Sequence, residues 1–134
     1  MSTPKSTRKV INPTSLTKPR APLSHGVKVG NLLFVSGTTP FIPGGRVMAP
    51  DFAGQMRQVM ANIQVILGEA GTSFDRVVKA NVILTRISDF QEMNDIYRSY
   101  FREGNYPART TIEAPLAVPG MLLEIECVAE LDPE

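Results

Sequence analysis

The chain has 134 residues, 43% of them hydrophobic and 20% charged, with a formal net charge of +1; these are the proportions of one globular domain large enough to bury a core. One cysteine, Cys127, and one histidine, His25, exclude an intrachain disulfide and any Cys/His zinc site. The charge is uneven. The first 20 residues hold Lys5, Arg8, Lys9, Lys18 and Arg20 and no acidic residue, whereas the remaining 114 hold nine basic and thirteen acidic side chains, a balance of −4. An acidic body argues against a dedicated nucleic-acid-binding domain, which presents a basic face. No apolar run reaches the length of a membrane helix. MSTPKSTRKVINPTSLTKPR has no apolar stretch of the kind found in secretory signals, so a cytoplasmic location is expected.

In chain order, residues 1–20 are expected to be a flexible basic leader and residues 21–134 a single domain. HGVKVGNLLFVSG reads as a hairpin turning at Gly30-Asn31, with a continuous apolar second strand over 32–36. A turn at Gly44-Gly45 and a short strand over 46–48 follow. Phe52, Met56, Val59, Met60, Ile63 and Leu67 recur at helical spacing and predict a helix over 51–70, closed by Gly71. VVKANVILT predicts a strand over 77–85. Ser88 with Gln91 has the spacing of a capping box for a second helix, striped by Phe90, Met93, Ile96, Tyr97 and Tyr100 and ended by Gly104. Two closing strands are expected over 109–114 and 122–131. The predicted order is β-β-β-α-β-α-β-β, an α+β fold with two helices on one sheet face. The strands over 32–36 and 77–85 are apolar on both sides, so the second face needs a cover, and another copy of the chain is the natural candidate.

Alternation in MLLEIECVAEL sets Met121, Leu123, Ile125, Cys127, Ala129 and Leu131 on one face and Leu122, Glu124, Glu126, Val128 and Glu130 on the other. Cys127 then belongs to the core. Carboxylates on a face destined for an interface are costly unless paired or put to use. Arg109, at the start of the preceding strand, admits two roles: a structural ion pair with one of these glutamates, or bidentate recognition of a substrate carboxylate, with a desolvated glutamate as general acid/base. Spacing alone leaves both open.

PAR with the following TT, and LLEIE, preceded by FVSGTTP, QMRQVMANIQVILGEAG and SDFQEMNDIYRSYF, resemble the RidA/YjgF family of reactive-intermediate deaminases, also described as the L-PSP endoribonuclease family, in the right order from His25 to Leu131. The resemblance implies a chorismate-mutase-like fold and a homotrimer with a central barrel and ligand clefts between subunits. It also implies a hydrolase of C–N bonds that converts 2-aminoacrylate-type enamines and imines to 2-oxo acids and ammonia without metal or cofactor. Residue by residue, it implies that Arg109 clamps the substrate carboxylate and Glu124 orients water and passes protons. Ser36 and Gly37 would line the cleft, with Asn94 near it. Two departures stand out. Leu23 replaces a cleft tyrosine, with His25 beside it, and Thr111 replaces a cysteine. His25 itself is expected at a partly exposed strand edge. A wider or more apolar pocket follows from Leu23, which keeps a larger enamine substrate open. Two further classes also stay open: a non-catalytic carboxylate-binding or chaperone-like trimer, and an endoribonuclease or translation inhibitor.

Overall fold

The structure is a computed structural model that describes residues 6–133. Eight principal elements run β1 (Lys9–Ile11), β2 (Gly26–Val29), β3 (Leu32–Thr38), α1 (Phe52–Ala70), β4 (Val77–Leu84), α2 (Phe90–Tyr97), β5 (Ala108–Glu113) and β6 (Leu123–Glu130). They form one six-stranded sheet in the order β1-β2-β3-β6-β4-β5. All neighbours are antiparallel except β4 and β5, which are parallel and joined through α2.

The two ends of α1 follow from local chemistry. Asp51 accepts a hydrogen bond from the Gly54 amide at 3.0 Å, satisfying one of the unpaired donors of the first turn. Gly71, at φ 84°, closes the helix by donating to the Gly68 carbonyl. The buried face of α1 carries the expected stripe, and it packs with Met93, Ile96 and Tyr97 of α2 over Leu33 and Val35 of β3, Ala80, Val82 and Leu84 of β4, and Leu123, Ile125, Cys127 and Ala129 of β6. The alternation read in β6 is the one observed. Cys127 is buried in this layer, and burial pushes its thiol up to about 12, so it is a packing group rather than a nucleophile.

The other sheet face is left open within the chain. Register aligns Val10, Val27, Phe34 and Val128 in one row across β1, β2, β3 and β6. Phe34 is 45% exposed and Val10 also 45%.

Three expectations need correction. Residues 9–11 are not part of a flexible leader: β1 pairs with β2, and Ile11 and Leu16 are buried in the core. Lys5, expected in that leader, lies outside the described residues. Residues 46–48 form no strand; a loop turns there, tied by the Ile42 amide to the Val47 carbonyl at 2.8 Å. The capping box at Ser88 does not form. The chain enters α2 through a 3₁₀ turn over Ile87–Asp89, where Glu113 accepts from the Ile87 amide at 2.7 Å and Arg86 pairs with Asp89 at 2.9 Å. α2 ends at Tyr97 in a second 3₁₀ turn, short of Gly104.

Gln55 ties α1 to the segment that leads into β6. Its side chain is 2% exposed, donates to the carbonyls of Ala49 and Gly120 at 2.9 Å each, and accepts from the Leu122 amide at 2.8 Å. Gln55→Ala leaves three polar backbone groups unmatched and opens a cavity, so an equilibrium urea titration is expected to show a loss of about 3 kcal/mol. A loss below about 1 kcal/mol would mean that water replaces all three bonds.

Candidate active site

Two separate clusters hold the side chains singled out in the sequence. The first is a cavity of about 190 Å³ beside the bulge at the end of β3. Ser36, Gly37, Leu23, His25 and Glu124 all line it. Ser36 donates its hydroxyl to the Ser24 carbonyl and its amide to the His25 carbonyl, which straps the 23–25 segment to β3. Glu124 sits half-buried on the sheet face away from the helices. Among the described residues no hydrogen bond or ion pair reaches its carboxylate. Burial, reinforced by the neighbouring Glu126 charge, raises its pKa above the ordinary carboxylate range. A group in that state is suited to exchange a proton with a bound molecule.

Gly37 is what lets the carboxylate lie there. A Cβ built on Gly37 would stand 2.9 Å from Glu124 Oε2. Gly37→Ala is therefore expected to push the carboxylate out of position. Its melting temperature should stay within about 3 °C of wild type, because only a side-chain end must move, while any activity that depends on Glu124 falls by about tenfold or more. Equal activity in the variant would show that the carboxylate position is not critical.

The second cluster lies around Arg109 on β5. Arg109 lies opposite Ala80 and points to the helix side, where its guanidinium stacks over the ring of Tyr97 at 4.9 Å and of Phe90 at 5.8 Å. Nη1 approaches Met93 Sδ at 3.8 Å. Burial pushes the Tyr97 phenol up to about 12, with Arg109 opposing the shift, so the ring stays neutral beneath the cation. Asn94, Tyr97 and Arg109 share a second cavity of about 350 Å³. Within the chain, none of the carboxylates among the described residues pairs with Arg109.

The two clusters do not meet within one chain. Cys127 and Arg109 both lie across from Ala80 of β4, and Glu124, three residues from Cys127, points to the opposite face. Asn94 lies with Arg109 and not with Ser36, Gly37 and Glu124. Thr111 lines neither cavity; its hydroxyl is buried and unpartnered. His25 is partly exposed just before β2 and also lines the Glu124 cavity, with Nε2 buried and unpartnered. Desolvation lowers its pKa, against a hydrogen bond from the ring to the Thr17 backbone carbonyl that raises it. Helical spacing assigns Phe90 and Tyr97 to packing, and their role as a platform for Arg109 leaves no mark in it.

The family model for endoribonuclease L-PSP matches residues 14–131. The chain belongs to this family, the RidA/YjgF group. A RutC family protein of Pyrococcus horikoshii is 39% identical over 123 residues, covering 91% of this chain and 97% of the relative. The 2-iminobutanoate/2-iminopropanoate deaminase of Bos taurus is 34% identical over 127 residues, covering 94% and 92%. Among solved structures, RidA from the Antarctic bacterium Psychrobacter superposes with a TM-score of 0.86 at 33% identity, covering 92% of this chain and 99% of that one. TdcF of E. coli, crystallised with bound serine, superposes at 0.84 with 27% identity, covering 92% and 99%. The RidA/YjgF chain has no helix among its described residues long and apolar enough to cross a membrane.

Proposed function

We propose that this protein is a cofactor-free deaminase that hydrolyses 2-aminoacrylate-type enamines and imines to 2-oxo acids and ammonia, and that its active site forms between copies of the chain in a homotrimer. One observation carries the reading. Arg109 is a guanidinium held ready on two aromatic rings with no carboxylate partner among the described residues, while Glu124 is a half-buried carboxylate with no partner on the opposite face. Both are unsatisfied in one chain, and a second copy docked on the open face can complete the pair. The exposed row of Val10, Phe34 and their neighbours supports that docking. The bovine relative, named for imine deamination, supports the substrate class.

In this mechanism the enamine tautomerises to its imine. Arg109 of one copy takes the substrate carboxylate in bidentate fashion, which orients the imine and neutralises its charge. Glu124 of the neighbouring copy, as carboxylate, takes a proton from water as the water oxygen bonds to the imine carbon. The proton passes to nitrogen, the C–N bond of the carbinolamine breaks, and ammonia leaves as the carbonyl forms. Ser36 and Gly37 wall the cleft, Gly37 by its bare backbone. Asn94 and Thr111 enter this reading only as neighbours of Arg109.

The test generates 2-aminoacrylate from serine with a dehydratase and traps the imine as its semicarbazone. The expected result is loss of the semicarbazone signal on adding the protein, with ammonia and pyruvate in equal amounts. A carboxylate-binding trimer, the second reading, is favoured by the serine held in TdcF; it gives binding without ammonia release. RNA cleavage dependent on Arg109 would instead support the endoribonuclease of the family's description.

A further inference from the structure

The Glu124 cavity carries more positive charge than hydrolysis of a small imine requires. Lys18 and Arg20, from the segment between β1 and β2, and Arg46, from the loop after β3, all line it. Arg46 is held in place: its guanidinium stacks over the Phe41 ring at 5.2 Å and donates to the Lys18 carbonyl at 3.4 Å. The ion pairs among the described residues use Arg76, Arg86, Arg98 and Arg102, and none uses these three cations. Among the described residues, the only carboxylate lining the cavity is Glu124.

Lys18 and Arg20 come from the basic first 20 residues and Arg46 from the acidic remainder of the chain, so two separate segments bring cationic residues to one cavity. Like charges lining one cavity repel one another, and a bound anion relieves that repulsion. His25 adds a ring nitrogen, buried and without a partner, that can hydrogen-bond to such an anion. Leu16 and Leu23 supply apolar wall on the same cavity, suited to a short carbon chain between two polar ends.

We propose that this cavity receives a second anionic group of the substrate, a carboxylate or a phosphate, so that the substrate class is an enamine or imine with negative charge at both ends. This rests on the deaminase reading. Arg109 of one copy takes the carboxylate next to the imine carbon. Glu124 of the other copy works on that carbon, and Lys18, Arg20 and Arg46 take the distal anion. Two of the five basic residues among the first 20, Lys18 and Arg20, then have a local task at the site.

The test compares two imines on the full-length chain, each made by an amino-acid oxidase and trapped with semicarbazide: 2-iminopropanoate from alanine and 2-iminosuccinate from aspartate. Wild type is expected to prefer 2-iminosuccinate in kcat/KM by about tenfold or more, the range of one charge-assisted contact. Lys18→Ala with Arg20→Ala removes two exposed side chains outside the core. It should bring the ratio of the two kcat/KM values down toward one. Inorganic phosphate and succinate are then compared as inhibitors of 2-iminopropanoate hydrolysis. The stronger inhibitor, if weakened in the double variant, names the distal group as phosphate or carboxylate. Equal kcat/KM for both imines in wild type, with neither anion inhibiting, overturns the proposal and leaves the deaminase reading intact. An unchanged ratio in the double variant overturns it as well. If wild type turns over neither imine, the deaminase reading fails and the proposal falls with it.

Discussion

Arg109→Ala is expected to lower kcat/KM for imine hydrolysis by about three orders of magnitude. Two charge-assisted hydrogen bonds to a carboxylate are together worth about 4 kcal/mol, and that difference in transition-state stabilisation is close to a thousandfold in rate. The fold should tolerate the change. Arg109 lies on β5, the last strand of the sheet, and loses only its stacking over Tyr97 and Phe90, about 1 kcal/mol. Arg109→Lys keeps the charge but not the planar fork, and should recover little of the loss. The semicarbazone assay, with thermal melts run in parallel, separates activity from stability. A loss below tenfold in a folded Arg109→Ala protein would remove Arg109 from substrate binding.

Glu124→Gln carries the second large effect. A positioned general base contributes about 10² to 10⁴ in rate, and the isosteric amide cannot accept the proton. Burial and then Glu126 raise the Glu124 pKa, so the basic form appears only above the ordinary carboxylate range. The activity of wild type should therefore fall as pH drops through that raised value, and the residual activity of the variant should lack this limb. The effect on stability has the opposite direction. The unfolded chain releases this proton at lower pH than the folded one. Within the window between the two pKa values, the folded state holds more protons, so stability falls as pH rises and levels off above it. Glu124→Gln removes that ionisation. At neutral pH it should be at least as stable as wild type, with a flatter stability profile. Denaturant titrations across pH check this. A variant less stable than wild type at neutral pH, with the acid limb of its activity intact, would contradict a base role for Glu124.

The sheet and helix pattern was legible wherever a long period was present. The β6 alternation from Met121 to Leu131 and the α1 stripe from Phe52 to Leu67 each repeat often enough to fix a face. Gly30 at φ 56° and Gly71 at φ 84° are where backbone geometry demanded glycine. β1 was not legible, since three residues, Lys9–Ile11, are too short for a period and sit among basic and polar neighbours. The start of α2 was misread because Ser88 and Gln91 have the right spacing but Asp89 and Glu113 take the local hydrogen bonds.

The candidate site divides in the same way. Glu124 and Arg109 stand out because charged side chains interrupt apolar strands, and the resemblance named them. Their placement on opposite faces depends on the β4-β5 and β4-β6 registers, which no short window of sequence contains. The cavity lining that Lys18, Arg20, His25 and Arg46 share with Glu124 is longer in range still, and the run of charge along the chain shows only a basic terminus.

A site built from Arg109 of one copy and Glu124 of the next has a direct test. Inactive Arg109→Ala and inactive Glu124→Ala proteins are mixed, unfolded together and refolded, and imine hydrolysis is measured. In random mixed trimers about one site in four brings both native side chains together, so recovery of about a quarter of wild-type activity is expected. Mixed oligomers that form, as shown by affinity tags on one variant, yet remain inactive would contradict a shared site.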